Sequence, residues 1–225
     1  MIKTQTVYQL RVGLLNFVNY VYIIVDNNTR QAAIVDPAWE VHKIVELLHE
    51  IDVELAAVLL THSHFDHVNA VKPLQKLYQP QIYMSAKEIE FDKYDCDNLN
   101  PVTDNEIIKV GDTEVTCLVT PGHTVGSACF LVPGHLFTGD TVFIEGCGIC
   151  DTQGGSAEKM FESIRRIKTE VSPDTKVYPG HCFGKKPGYS ISHLMHENIY
   201  FQLNKKEQFV NFRMRKTQPN AFAFK

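Results

Sequence analysis

Between residues 7 and 36, apolar and polar positions alternate in short runs: Val7 to Val12, Tyr20 to Val25 and Ala32 to Val35. Asp26-Asn27-Asn28-Thr29 separates the last two as a turn. Period two broken by turn residues predicts a β-meander. Asp36-Pro37 then predicts a helix start, with Asp as N-cap and Pro at the first helical position. Val41, Ile44, Val45, Leu48 and Ile51 follow on one helical face. Leu55 to Leu60 is a continuous apolar run, as expected of a strand buried on both faces. A helix is expected from about Asp66 to Tyr78, then a strand at Ile82-Tyr83-Met84 and a second small helix. From 106 to 145 the pattern is β-rich: Ile107 to Val110, Val115 to Val119, Cys129 to Val132, Leu136 to Thr138. A helix starting at Ser156 would bury Met160, Phe161, Ile164 and Ile167. Lys176-Val177-Tyr178 reads as a last short strand. Beyond Pro187-Gly188 the tail reads as helical, with Leu194, Met195, Ile199, Leu203 and Phe209 apolar. Two similar halves of this kind predict two sheets with helices outside them, an α/β (α+β) chain.

Composition narrows the class. Apolar residues make up 44% and charged residues 21% of the 225, enough for a packed core. The net charge of −4 argues against a generally basic nucleic-acid binder. No stretch approaches the ~20 apolar residues of a membrane helix. The first residues lack the basic flank and apolar centre of a signal peptide, so a cytoplasmic protein without membrane partners is expected. The six cysteines then read as thiols, and the Cys147/Cys150 pair lacks the second pair of a zinc ribbon. Charge is uneven: residues 86–114 carry net −6 and residues 203–225 net +5. The basic segment reads either as a solvated face or as a docking patch for an acidic partner.

The densest chemistry is Thr61-His62-Ser63-His64-Phe65-Asp66-His67, directly after the apolar run. It offers four metal-capable groups of the imidazole and carboxylate types used by hydrolytic zinc sites. Three further strands run into a glycine and a candidate ligand: Pro121-Gly122-His123, Gly139-Asp140 and Pro179-Gly180-His181. Glycine there lets the backbone turn sharply. If these strands end on one edge, seven groups converge. Seven suit two metals, three terminal ligands each, with Asp140 as the natural bridge. His42, His49, His135, His193 and His196 have no such context and read as satisfied or solvated.

HxHxDH followed by separate His, Asp and His resembles the metallo-β-lactamase superfamily over roughly residues 5–190. The resemblance implies a four-layer αββα sandwich with metals at one edge. It divides the chain into a catalytic domain, 1–190, and a short C-terminal helical basic tail, 191–225. It implies His62, His64 and His123 on the first metal and Asp66, His67 and His181 on the second, bridged by Asp140. Two Zn²⁺ are expected, with iron or manganese as alternatives, and Asp66 is implied to act in catalysis by orienting the attacking water.

Within the superfamily, Phe137-Thr138-Gly139-Asp140-Thr141, Gly146-Cys147-Gly148 and Gly155 to Met160 are similar to glyoxalase II, which hydrolyses S-acyl-glutathione thioesters. Where that family places a base and an aromatic residue, this chain reads Ile149-Cys150-Asp151-Thr152-Gln153. The chain length, the Gly-Cys-Gly-Ile-Cys-Asp stretch and the basic tail resemble the zinc hydrolases of trans-acyltransferase (bacillaene-type) polyketide clusters. Those release acyl groups from acyl carrier protein. The resemblance therefore implies a metal-dependent thioester hydrolase with an acyl carrier protein as partner. Ile149, Asp151, Lys185, Lys205, Lys206, Arg213 and Arg215 are its implied substrate-binding residues. A thiol with a pKa of about 8.5 leaves with little acid help, so no separate general acid is required. Glyoxalase II and a mononuclear iron persulfide dioxygenase are the rival readings.

Overall fold

In the computed structural model, which describes residues 4–15 and 17–216, the period-two segments pair as a hairpin. β1 (Gln5–Leu14) and β2 (Phe17–Asp26) are antiparallel, and β3 (Gln31–Val35) pairs antiparallel to β2. After α1 (Val41–Glu50), β4 (Glu54–Leu60) lies parallel to β3. Two helices, α2 (Phe65–Val68) and α3 (Val71–Tyr78), lead to β5 (Gln81–Ser85). Then come α4 (Ala86–Asp92) and β6 (Leu99–Val102), closing a six-stranded sheet in chain order.

The second sheet holds β7 (Ile107–Val110), β8 (Thr113–Val119), β9 (Ala128–Val132) and β10 (His135–Gly139), all antiparallel. A small ribbon, β11 (Val142–Phe143) with β12 (Gly146–Cys147), follows. After α5 (Ala157–Glu170), β13 (Lys176–Pro179) joins parallel to β10. α6 (Ile191–Glu197), α7 (Ile199–Gln202) and α8 (Lys206–Arg213) complete the described chain.

Alternation along the strands sets the layers. Tyr20, Tyr22 and Ile24 of β2 face Val115, Cys117, Phe130 and Phe137 of the second sheet. Their neighbours Val21, Ile23 and Val25 face the other way, onto Ile44 and Leu48 of α1. On the far side, Cys129 and Leu136 pack on Met160, Phe161, Ile164 and Ile167 of α5, joined by Leu194, Phe201 and Phe209. The order is helices, sheet, sheet, helices, the four-layer αββα sandwich. The sheets are also tied at one edge: the Tyr22 hydroxyl donates to the Pro179 carbonyl at 2.6 Å, and the Tyr20 amide to Gly180 at 2.8 Å. No helix among the described residues is long and apolar enough to cross a membrane.

Three expectations change. Asp36 caps no helix: it sits in the left-handed region (φ +48°), and α1 begins five residues later, at Val41. The helix expected from Asp66 to Tyr78 is two helices. Pro73 explains the break, because its missing N–H and ring are tolerated only in a first turn, and Pro73 is the third residue of α3. Strand β6 is an addition, since Leu99-Asn100-Pro101-Val102 carries a proline that weakens any strand pattern. Its place at the sheet edge resolves this. Lys225 of the basic segment lies outside the described residues.

Candidate metal centre

The seven predicted groups lie at one end of the sandwich because four strands terminate there. Leu60 ends β4, two residues before His62; Val119 ends β8 before Pro121-Gly122-His123. Gly139 ends β10 beside Asp140, and Pro179 ends β13 before Gly180-His181. His64 precedes α2, which contributes Asp66 and His67. Two glycines act for different reasons. Gly139 has φ +47°, and a Cβ there would lie 2.2 Å from Thr61 Oγ1. Gly180 has no such φ; a Cβ on it would lie 2.5 Å from His67 Cε1 and 2.9 Å from Asp140 Oδ1. It is glycine so that the ligands can close over it.

Donor atoms of His62, His64 and His123 fall within 4.8 Å of one another, as do those of Asp66, His67 and His181. Asp140 lies between the trios. Its Oδ2 is 3.6 Å from His123 Nε2 and 3.5 Å from His181 Nε2, and its Oδ1 is 3.5 Å from His67 Nε2. A third grouping, Asp36 with His62 and His67, has a different character. Asp36 faces His67 Nδ1, the nitrogen turned away from the centre.

Outer contacts fix the tautomers. His123 Nδ1 donates to the Ile149 carbonyl and His181 Nδ1 to the Val18 carbonyl, both at 2.8 Å. His67 Nδ1 donates to Asp36 Oδ2 at 3.0 Å. The Thr61 hydroxyl donates to the same Asp36 oxygen at 2.6 Å, so it accepts from His62 Nδ1 at 3.0 Å. With Nδ1 so engaged, each of these rings turns Nε2 towards the centre, and in its neutral form that nitrogen carries the lone pair a metal requires. His64 is the exception and turns Nδ1 inward, 3.0 Å from His123 Nε2. Asn19 donates to Asp66 Oδ2 at 3.2 Å and is itself held by Trp39 Nε1 at 2.6 Å.

This donor set fits divalent metal. His62 Nε2, His67 Nε2 and Asp140 Oδ1 are buried with no hydrogen-bond partner among the described residues. Buried polar atoms without partners are costly, and three of them facing one space are explained by a cation there.

Charge divides the two trios. Burial, reinforced by the neighbouring imidazoles, holds His62 well below its ordinary range. Burial also pushes His123 down to about 4, although Asp140 opposes it. In the second trio burial is outweighed. Asp140, Asp66 and Asp36 raise His67 to about 10, and Asp140 and Asp66 raise His181. Asp66 is lowered against its own burial by His67 and His181. At pH 7 the metal-free chain therefore keeps His62 and His123 neutral and His67 protonated. Ligation needs neutral imidazole, so filling the second trio should release about one proton from His67. Its affinity should rise with pH up to about 10. Calorimetry of zinc binding in two buffers of different ionisation enthalpy checks this; buffer-independent heats would contradict it.

The centre forms the floor of a cleft of ≈ 480 Å³. Phe17, Phe143, Phe183 and Phe212 supply apolar wall, and Glu145, Arg213 and Arg215 supply charge. Of the residues read as substrate-binding, Ile149, Arg213 and Arg215 line it. Arg213 is buried, donates to the Tyr200 hydroxyl at 3.0 Å and is not part of a solvated tail. Lys185 stands behind the rim, 3.6 Å from Glu145. Asp151, Lys205 and Lys206 lie outside the lining; Lys206 pairs with Glu162 at 2.5 Å. Cys147 and Cys150 are free, buried thiols, raised by burial, Cys150 to about 12.

Sequence reasoning missed Asp36, Asn19 and Trp39. Asp36 carried a signal, an acidic residue at a strand end like Asp140, but the following proline pointed to a cap. Asn19 and Trp39 carried none.

A sequence profile described as the Metallo-beta-lactamase superfamily matches residues 15–181. Over 222 residues, 99% of each chain, the sequence is 54% identical to the "Probable polyketide biosynthesis zinc-dependent hydrolase PksB" of Bacillus subtilis (strain 168). It is 38% identical over 165 residues to the hydroxyacylglutathione hydrolase of Tolumonas auensis, spanning 72% of this chain and 61% of that protein. Among solved structures, ETHE1 from Myxococcus xanthus superposes with a TM-score of 0.84 at 29% identity. That match covers 95% of this chain and 93% of the other.

Proposed function

This chain belongs to the metallo-β-lactamase superfamily, and from that premise we propose that it is a zinc-dependent hydrolase of polyketide biosynthesis, cleaving acyl thioesters presented by an acyl carrier protein. The observation that carries the chemistry is the pair of ligand trios sharing Asp140 on the floor of one cleft. The 54% identity over the full length supports the biosynthetic setting.

His62, His64 and His123 would hold one metal and Asp66, His67 and His181 a second, with Asp140 between them. Divalent metals so held acidify a coordinated water to a pKa of about 7 and polarise a carbonyl. The chain's own residues do the rest. Backbone carbonyls of Val18 and Ile149 aim His181 and His123, while Asp36 and Thr61 aim His67 and His62. Asn19 fixes the Asp66 carboxylate, which we read as the group that orients the attacking water. Phe17, Phe143 and Phe183 shield the cleft and give an acyl chain and pantetheine arm apolar contact. Arg213 and Arg215 place positive charge within the cleft. Lys205 and Lys206 extend it on the surface beyond, where an acidic carrier would dock; Lys185 stands behind the rim, beside Glu145. Ile149 forms part of the wall, and Asp151 stands outside it as an acidic group unfavourable to a glutathione carboxylate.

Side-by-side hydrolysis of acyl carrier protein, acyl-coenzyme A and S-lactoylglutathione thioesters tests the reading. The carrier-bound substrate should exceed S-lactoylglutathione in kcat/KM by at least about 10-fold, worth 1.4 kcal/mol in transition-state energy. S-Lactoylglutathione turnover near about 10⁶ M⁻¹s⁻¹ would move the chain to the glyoxalase II reading. One tightly bound iron with oxygen consumption would move it to the persulfide dioxygenase reading.

A further inference from the structure

Glu88, in the first turn of α4, is fully buried and belongs to neither trio. Its carboxylate takes four hydrogen bonds from two loops. Oε1 accepts from the Ser63 amide at 3.0 Å and the Ser63 hydroxyl at 2.9 Å, a hydroxyl whose single proton is shared with Asp92 Oδ2. Oε2 accepts from the Thr124 hydroxyl at 2.7 Å and the Gly126 amide at 2.9 Å. Ser63 stands between His62 and His64, and Thr124 follows His123. These are the loops that carry the first trio, and they leave different sheets, one after β4 and the other between β8 and β9.

A buried carboxylate is costly unless its lone pairs are filled. Here they are filled from both sides at once. The contact is tight as well: a Cβ on Gly126 would lie 2.2 Å from the Glu88 amide nitrogen. Across the joint, His64 Nδ1 and His123 Nε2 stand 3.0 Å apart. The second trio hangs from other supports: Asp36 for His67, Val18 for His181 and Asn19 for Asp66.

We propose that Glu88 is a positioning residue for the first metal site: by clamping the Ser63 and Thr124 loops it sets the separation of His62 and His64 from His123, and so that site's affinity alone. This rests on the two-metal reading above.

Zinc titration against a competing chelator, with thermal melting of the metal-free chain, tests it on wild type, Glu88→Ala and Glu88→Gln. Glu88→Ala should bind one zinc as wild type does and the other about 10- to 100-fold more weakly. Glu88→Gln should fall between, because its amide oxygen still serves one loop while its NH₂ faces a backbone N–H of the other. In a His181→Ala background, which leaves the first site, Glu88→Gln should weaken the remaining zinc. A residue that merely stabilised the fold would lower the melting temperature and leave the two affinities in their wild-type ratio. That ratio unchanged, or both zincs unaffected, would overturn the proposal. If Glu88→Ala does not fold, Glu88→Gln decides by the same criterion. A wild type that takes up a single zinc would refute the two-metal reading alone, since the same variants would still show whether Glu88 governs that zinc.

Discussion

Replacing Asp140 by alanine is expected to lower kcat/KM for an acyl thioester by at least about 10³-fold while leaving the chain folded. Asp140 lies between the trios, within 3.6 Å of His123 of one and of His181 and His67 of the other. Removing it would separate two sites that otherwise share one anion. The trios and their outer hydrogen bonds would remain, because none of those bonds ends on Asp140. The side chain is largely but not fully buried, at 11% exposure, so truncation opens space towards the cleft and leaves no sealed cavity. Asp140→Asn should fall between, keeping the shape without the charge. Initial rates beside zinc stoichiometry and a thermal melt form the measurement. Retention of most of the activity would remove Asp140 from the mechanism and the shared-carboxylate reading with it.

Asp36→Ala should show the second large effect, on stability and, under the two-metal proposal, on both metals together. The Asp36 carboxylate accepts from the Thr61 amide at 2.8 Å, from the Thr61 hydroxyl at 2.6 Å and from His67 Nδ1 at 3.0 Å. Through Thr61 it also sets His62. Its loss would strand buried donors, at about 1–3 kcal/mol for each group left unsatisfied. Alanine would also inherit a backbone at φ +48°, which asparagine tolerates better. Asp36→Asn thus separates the loss of charge from backbone strain. Because Asp36 supports a ring in each trio, both zincs should weaken by about 10- to 100-fold. Urea unfolding of the metal-free chain and chelator competition would measure the two effects. A variant as stable as wild type, or one that weakens a single zinc, would show that Asp36 does not link the trios.

The contrast with Glu88 is informative, because both are buried carboxylates beside ligand loops. Asp36 bonds to His67 of one trio and reaches His62 of the other through Thr61, while Glu88 bridges two loops of the first. Neither was legible as support. Asp36 precedes a proline and reads locally as a helix cap; Glu88 sits among the acids of residues 86–114 and reads as solvated charge. Local pattern reports spacing and polarity. It does not report that Ser63 and Thr124, 61 positions apart, meet over one carboxylate.

The basic segment shows the same limit. By count, residues 203–225 form a positive patch. In the structure Arg213 is buried against Tyr200 and Lys206 is paired with Glu162, because α8 packs onto α5 through Phe209 and Phe161.

By itself the sequence determined what depends on neighbours along the chain. The alternation of β2 and β9 set which residues face between the sheets and which face the helices. Ser156 set the start of α5, where its side chain accepts from the Lys159 amide, and each apolar position expected to be buried on that helix is buried. The glycine and ligand pairs placed His123, Asp140 and His181 at strand ends. Only the tertiary structure decided what depends on strand order. β13 lies beside β10, so His181 meets Asp140; packing of the first sheet on the second brings the Val18 carbonyl to His181, and the loop after β12 brings that of Ile149 to His123. The reason is physical: a strand's periodicity is fixed by its own backbone, whereas the tautomer and charge of a buried histidine are fixed by groups that only long-range packing delivers.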